Sequence, residues 1–488
     1  MKTGIVNVLI FLFLLFLVPC GNAATTIDKN RKLSVLRLGL HADGIGKIDP
    51  HFAAASQDRA FADMVFSGLL RYRPGEAPNI EPDLALHIPD YTMVGGRQIW
   101  KVELRQMVFF HHRPGIKAYE LTTDDVIYSL RKSANKNLSA YSGEYLDMSF
   151  EKTGRYTLNI ILEKPLSPSL FLPKITNYAG GFIVSKKGIE KLGYDTYFRH
   201  PTGTGPFMFH SYDTGKKMVL MAYENYFRGR PALDSVEINF VPKTDEREKL
   251  FFENQLDVIL GSGAPGWLER IRNTPGTIID TFGVGEVATL HFNGQLPPLH
   301  DLKVRRAMAY ALDRKTFLAT TTQSLVGPVY SPVPVMFLPG GLNQNEVKSL
   351  GLDYEIDITK AKILLQEAGY PEGFSLTLVS SEKRLYRSLY EALSLMLSKI
   401  GITCEIKIVP HAKMHKSIRQ TPQALVLYAA WRPNADAYLT HFHHSSSIVV
   451  TGKKPDTNFS HYNGIDHLIE AARFEVDPIK QITLWHQA

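Results

Sequence analysis

The stretch FSLTLVSSEKRLYRSLYEALSLMLSKIGITCEIKIV, Phe374 to Val409, sets the fold. Phe374, Leu376 and Leu378 alternate with polar neighbours, the period-two pattern of a half-buried strand. Tyr386, Leu389, Leu393 and Leu397 then recur at the spacing of one helical face, Gly401 ends that helix, and Ile402, Cys404, Ile406 and Ile408 alternate again. A helical crossover returns the chain in its original direction, so the unit reads as strand, helix, strand, with both strands parallel in one sheet. The class is α/β. Cys404 alternates with core positions and reads as a buried, inert thiol.

Outward from this unit the same two periods recur. Trp100, Val102 and Leu104 alternate, as do Tyr156, Leu158, Ile160 and Leu162, and Val236, Ile238 and Phe240. Thr122 is placed to cap a helix bearing Val126, Ile127 and Leu130, with Asp124 and Asp125 in its first turn, where the helix dipole favours negative charge. Asp301 caps a second helix carrying Val304, Met308 and Leu312. Asp357 caps a third with Ala361, Leu364, Leu365 and Ala368, stopped by Gly369 and Pro371. The strand-rich part before about residue 290 and the unit after it predict two α/β lobes. With 488 residues, 44% of them hydrophobic and no low-complexity tract, the chain has ample material for buried cores, which excludes disorder and a small disulfide scaffold.

The first segment differs. Lys2 precedes an apolar run from Ile5 to Val18, followed by Pro19, Gly21 and Ala23. A run this short is below the roughly 20 residues that span a bilayer, and the small residues suit cleavage after Ala23, so residues 1–23 read as a secretory signal peptide. Leu17-Val18-Pro19-Cys20 keeps a lipoprotein reading open, against which Pro19 stands. After cleavage only Cys404 remains and no internal disulfide can form. The formal charge of +7 comes from interspersed Lys/Arg and Asp/Glu, and with an export signal this argues against nucleic acid as a partner.

Enzyme motifs are missing. The sequence holds no Gly-x-Ser-x-Gly elbow, no His-Glu-x-x-His helix and no Walker loop. Gly203-Thr204-Gly205-Pro206 resembles a phosphate cradle, yet Pro206 removes an amide donor and no Lys follows, so it reads as a structural turn. His441, His443 and His444, like His111 and His112, read as solvated loop histidines, because adjacent side chains diverge on any regular element. The segment Tyr428-Ala429-Ala430-Trp431-Arg432-Pro433-Asn434-Ala435-Asp436 stands apart. It follows the apolar strand Ala424 to Leu427 and ends in polar groups beside an aromatic, and strand ends are where open α/β sheets bind ligands. A core Trp with a capping Asp explains the same pattern.

Taken in order, these segments resemble extracellular solute-binding family 5, the oligopeptide, dipeptide and nickel receptors of bacterial ABC importers. Asp49-Pro50-His51 is similar to the family's opening Asp-Pro-His, and Gly68-Leu69-Leu70-Arg71-Tyr72 to its Gly-Leu-Leu motif. Trp100 to Phe110, with Leu104-Arg105, Leu121-Thr122, Asp124-Asp125-Val126 and Ser129-Leu130, is similar to the family signature. Gly203 to Phe207, Asn225-Tyr226-Phe227-Arg228-Gly229, Asp301 to Arg314 and Ala361 to Phe374 follow in the family's order.

The resemblance implies a periplasmic binding protein fold of two lobes joined by a hinge, with an extra subdomain in the first. Residues 24–70 and 190–288 would form lobe I, 71–189 the subdomain and 289–488 lobe II. It implies a monomer that closes over a small peptide or peptide-like solute, using no cofactor or metal, and is read by an inner-membrane permease with its ATPase. In peptide-binding members an acid three residues after the tryptophan matching Trp431 pairs with the ligand's amine. Here Asn434 holds that position, Asp436 is the next acid, and Ala437 stands where proline is common. The site residues that follow are Trp431 as an apolar wall, Asp436 as counter-charge, Asn434 as an orienting hydrogen bond, Arg432 for a carboxylate, Tyr428, and Phe52 from the opposite lobe. Within the family a nickel, metal-chelate or haem receptor is the rival, and a transport-independent sensory or chaperone-like receptor lies outside it. Relatives continue past the segment that matches Asp477 to Gln487 and return to lobe I, and this sequence ends before any such return.

Overall fold

The computed structural model describes residues 33–488 except 54, 77–78, 262–265, 281–285 and 323–324. The signal peptide and the Cys20 reading lie outside the described residues. The deciding unit is present as read: Ser375–Ser381 runs parallel to Thr403–Val409, with Leu378 opposite Ile406, and helix Arg384–Ser398 crosses between them. Leu389, Leu393 and Leu397 are buried because their spacing puts them on the face that meets the sheet. Cys404 is half-buried, and burial pushes its thiol up to about 11, which keeps it protonated and unreactive.

Beside this unit Leu425–Ala430 pairs antiparallel with Val287–Phe292, Leu427 opposite Leu290. With helices Leu302–Ala311 and Ile358–Glu367, capped by Asp301 and Asp357 as their sequences require, these strands enclose one core that includes Val304, Met308, Leu365, Leu393 and Leu427. The boundary expected at residue 289 therefore cuts a strand that begins at Val287, and pairing assigns that strand whole to the second core.

A five-stranded sheet builds the first core, in the order Phe207–Asp213, Lys217–Ala222, Ser235–Phe240, Val35–Leu40 and Val258–Ile259. Val35–Leu40 lies parallel to Ser235–Phe240, Leu38 opposite Ile238, and the chain between Leu40 and Phe207 is carried as an excursion that leaves this sheet and returns to it. That excursion forms a four-stranded antiparallel sheet of Asp90–Val94, Arg97–Glu103, Thr157–Leu162 and Met148–Lys152. Its core stacks Trp100 on Phe171 at 4.3 Å between ring centroids. Packing corrects the expected edges of this subdomain: Ser67–Gly68 pairs with Phe182–Ile183, and Ile189 packs into the core of the five-stranded sheet, so the chain has already rejoined the first core before residue 190.

Asp49-Pro50-His51 is a buried knot. Lys132 from helix Thr123–Ala134 pairs with Asp49 at 2.8 Å, both side chains almost inaccessible, and donates to His51 Nδ1 at 3.1 Å. His51 therefore carries its proton on Nε2 and donates it to the Phe182 carbonyl at 2.7 Å. The Gly203–Gly205 turn is structural for a measurable reason: a Cβ on Gly203 would sit 1.8 Å from the Val65 carbonyl oxygen, and one on Gly205 2.6 Å from that of Met64. His111 overturns the solvated reading. It is 1% exposed, accepts from the Gly203 amide at 3.2 Å and donates to the Gly205 carbonyl at 2.9 Å, while His112 is exposed as expected. The turn needed a donor–acceptor pair, and one neutral imidazole supplies both.

Candidate ligand-binding cleft

The strand Leu425–Ala430 delivers Trp431 to its end, and Pro433 and Asn434 turn the chain into helix Ala435–His443. Asn434 is the N-cap: its side-chain oxygen accepts from the Ala437 amide at 2.8 Å. The acceptor half of this side chain is thus committed to the fold, and only its amide donors remain for a solute. Asp436, in the first turn, is committed too. Arg473 Nε donates to it at 3.2 Å, and Arg473 Nη2 donates to Thr440 at 2.6 Å. Burial raises the Asp436 carboxyl and Arg473 opposes that rise. A counter-charge for a ligand amine would have to be taken from this pair.

Arg432 braces the same turn. It donates to the Trp431 carbonyl at 3.0 Å and to Thr457 at 3.1 Å, lies 3.7 Å from Asp456, and faces the Phe442 ring at 5.2 Å. Its Nε is buried without a partner among the described residues. Tyr428 is 9% exposed, its hydroxyl accepts from Arg419 at 2.9 Å, and its ring lies in an aromatic cluster with Phe459 at 5.3 Å. Phe52 is half-buried on the first core, with the Lys47 ammonium 3.7 Å from its ring centroid.

Trp431 is half-buried, and the aromatic it meets is Tyr178, edge to face at 5.7 Å. Tyr178 belongs to the segment that leads from the four-stranded sheet back to the first core, so this contact joins the two halves of the molecule. Behind it Arg59, on helix Ser56–Val65, lies 4.7 Å over the Tyr178 ring, and Tyr72 meets that ring at 6.2 Å. Tyr178 and Arg59 escaped the sequence reading, since neither sits in a motif and their partners lie far along the chain. Of the residues named from sequence, Trp431 stands at the seam, Tyr428, Arg432, Asn434 and Asp436 hold the turn that presents it, and Phe52 lies among lysines.

The histidines are also corrected. His441 pairs with Asp456 at 2.8 Å and His444, 8% exposed, lies 3.3 Å from Glu470, so neither is a solvated loop residue. His411 and His415, one turn apart on helix His411–Gln420, face each other Nε2 to Nε2 at 3.1 Å. Arg419 can only donate, so His415 Nδ1 accepts from it at 3.1 Å and its proton sits on Nε2, directed at His411. His411 then carries its own proton on Nδ1, toward Ser381 Oγ at 3.0 Å. A directional hydrogen-bond chain accounts for the pair, and no group of three or more metal-ligating side chains occurs among the described residues. A concavity of about 700 Å³ on the inserted sheet shares no lining residue with the seam, and two ion pairs, Lys152 with Asp124 and Arg155 with Glu120, lie in its wall.

The profile of the bacterial extracellular solute-binding proteins, family 5 (middle), matches residues 79–448. The chain belongs to this family. It is 28% identical to heme-binding protein A of Haemophilus influenzae over 64% of this chain, though it spans only 58% of that relative, less than two thirds of its length. It is 24% identical to the dipeptide-binding protein of Escherichia coli, over 78% of this chain and 74% of that one. Among solved structures, MoaA of A. tumefaciens R10 in complex with mannopinic acid is 33% identical, covers 93% of this chain and 90% of its own, and superposes with a TM-score of 0.73. The periplasmic binding protein fold of family 5 is thereby established for the chain. Among the described residues no helix is long and apolar enough to cross a membrane.

Proposed function

We propose that this family 5 protein captures a peptide or peptide-like solute between its two halves, leaves it chemically unchanged, and delivers it to an inner-membrane permease driven by an ATPase. Residues 1–23 direct export to the periplasm, and the protein works there as a monomer. In this reading the second lobe begins at Val287 and the subdomain ends near Phe182, which the strand pairings at both places support. The observation that carries this reading is the Trp431–Tyr178 seam, where side chains of both halves meet at the end of a buried strand. Contacts to both halves exist together only when the halves are closed, so a bridging solute stabilises that state. Trp431 is its apolar wall, and the Asn434 amide donors orient it. Native mass spectrometry of the secreted protein, followed by denaturation, tests this: a released peptide-like molecule supports it, and a modified product of an added peptide would contradict it.

The likeness to heme-binding protein A supports a second reading, capture of haem. Titration with haemin separates the two, because haem ligation by a side chain shifts the Soret band and a peptide receptor leaves it unchanged.

A further inference from the structure

Around the seam the acids Asp436, Glu81 and Asp83 each have a cation partner, while among the described residues Arg59 has no acid. Asp436 is held by Arg473, and on the first half Glu81 is held by Arg71 and Asp83 by Arg228. Arg59 is half-buried and stacked on Tyr178, yet among the described residues its one hydrogen bond is a long one, Nε to the Ala53 carbonyl at 3.4 Å. Among the described residues no carboxylate lies within 4 Å of its guanidinium. Asp63, one turn further along the same helix, instead accepts from Asn177. A half-enclosed guanidinium whose terminal nitrogens have no partner among the described residues is matched by a planar anion, since its fork takes a carboxylate bidentately. The aromatic face beneath holds it in place and excludes water from one side.

We propose that Arg59 is the carboxylate receptor of the seam, so that the solute is selected by an acid group and not by a free amine. This rests on the capture of a peptide-like solute proposed above. Trp431 and Tyr178 would hold the apolar body of the solute while Arg59 takes its carboxylate from the first half and the Asn434 amide donates from the second. The missing acid three residues after Trp431 then has a reason: an acid there would repel the anion that Arg59 attracts.

Titration calorimetry on the mature chain with four probes tests this: mannopinic acid, Met-Leu, N-acetyl-Met-Leu and Met-Leu amide. The expected result is that acetylation is tolerated, while amidation weakens binding about 10- to 100-fold, the range for losing a hydrogen bond to a charged group. Arg59→Gln weakens the acids by the same factor and leaves the amide unchanged, and Arg59→Lys restores part of the loss. Equal affinity for acid and amide in the unmodified protein, or loss of binding on acetylation, overturns the assignment while the capture reading survives. Failure of all four probes to bind overturns both. The comparison of probes does not depend on any variant folding.

Discussion

At the residue scale the decisive side chain is Trp431. It is half-buried against Tyr178 and the strand beneath it is complete without it, which supports its proposed role as a wall for the solute over one in holding the fold. Trp431→Ala is expected to weaken solute binding at least tenfold, with the melting temperature nearly unchanged; an equal melting loss at unaltered affinity would make it a core residue. His291 shows how costly an imidazole is when the fold gives it no use. It is 3% exposed between Phe442 and Phe459, its Nε2 has no partner among the described residues, and burial holds its pKa near 3. Its folded pKa lies below the unfolded value of 6.5, so between these values the unfolded chain binds the extra proton, and stability present at neutral pH is lost as pH falls below about 6.5. At pH 5 that loss is on the order of 2 kcal/mol. His51, His111 and His443 act in the same sense, while Asp63, raised to about 6, opposes them. His291→Phe is therefore expected to match the parent at pH 7 and to melt higher at pH 5; equal melting at both values contradicts the account.

At the element scale, the helix that starts after Asn434 fixes the direction in which Trp431 is presented. Asn434→Ala removes the cap and is expected to cost about 1 kcal/mol in chemical denaturation. It should also reduce affinity through the displaced turn, whereas Asn434→Asp, which can still cap, should restore stability; failure of Asp to do so would show that the side chain does not act through the Ala437 amide. These elements were the part of the molecule most open to reading from sequence. Leu376 and Leu378, Leu389 and Leu393, and the caps at Asp301 and Asp357 all follow from local period and capping chemistry. Asn434 obeys the same capping rule with its side-chain oxygen, and its amide donors stay open for the proposed solute. Arg473 beside Asp436, Arg419 beside His415 and His111 beneath the Gly203–Gly205 turn were illegible. Each pair is set by tertiary packing, which no periodicity records.

At the scale of the whole molecule, the parallel pairing of Val35–Leu40 with Ser235–Phe240 makes one half a single body despite its long excursion, and the pairing of Val287–Phe292 with Leu425–Ala430 closes the other. Each half has its own core, and Tyr178 with Trp431 bridges them together with Leu170, which the first half inserts into the second core, and Ser169, which donates to Gln481 at 2.7 Å, so opening the seam also withdraws Leu170. The family resemblance carried in the ordered motifs gave this architecture, while the Arg59–Tyr178–Trp431 line emerged only when both halves were in place. The most direct test is small-angle X-ray scattering of the mature protein before and after saturation with its released or best-binding solute. Closure predicts a smaller radius of gyration in the saturated sample, with the change abolished in Trp431→Ala. An unchanged radius at confirmed saturation would mean that the solute does not draw the halves together, and the clamp account would be wrong.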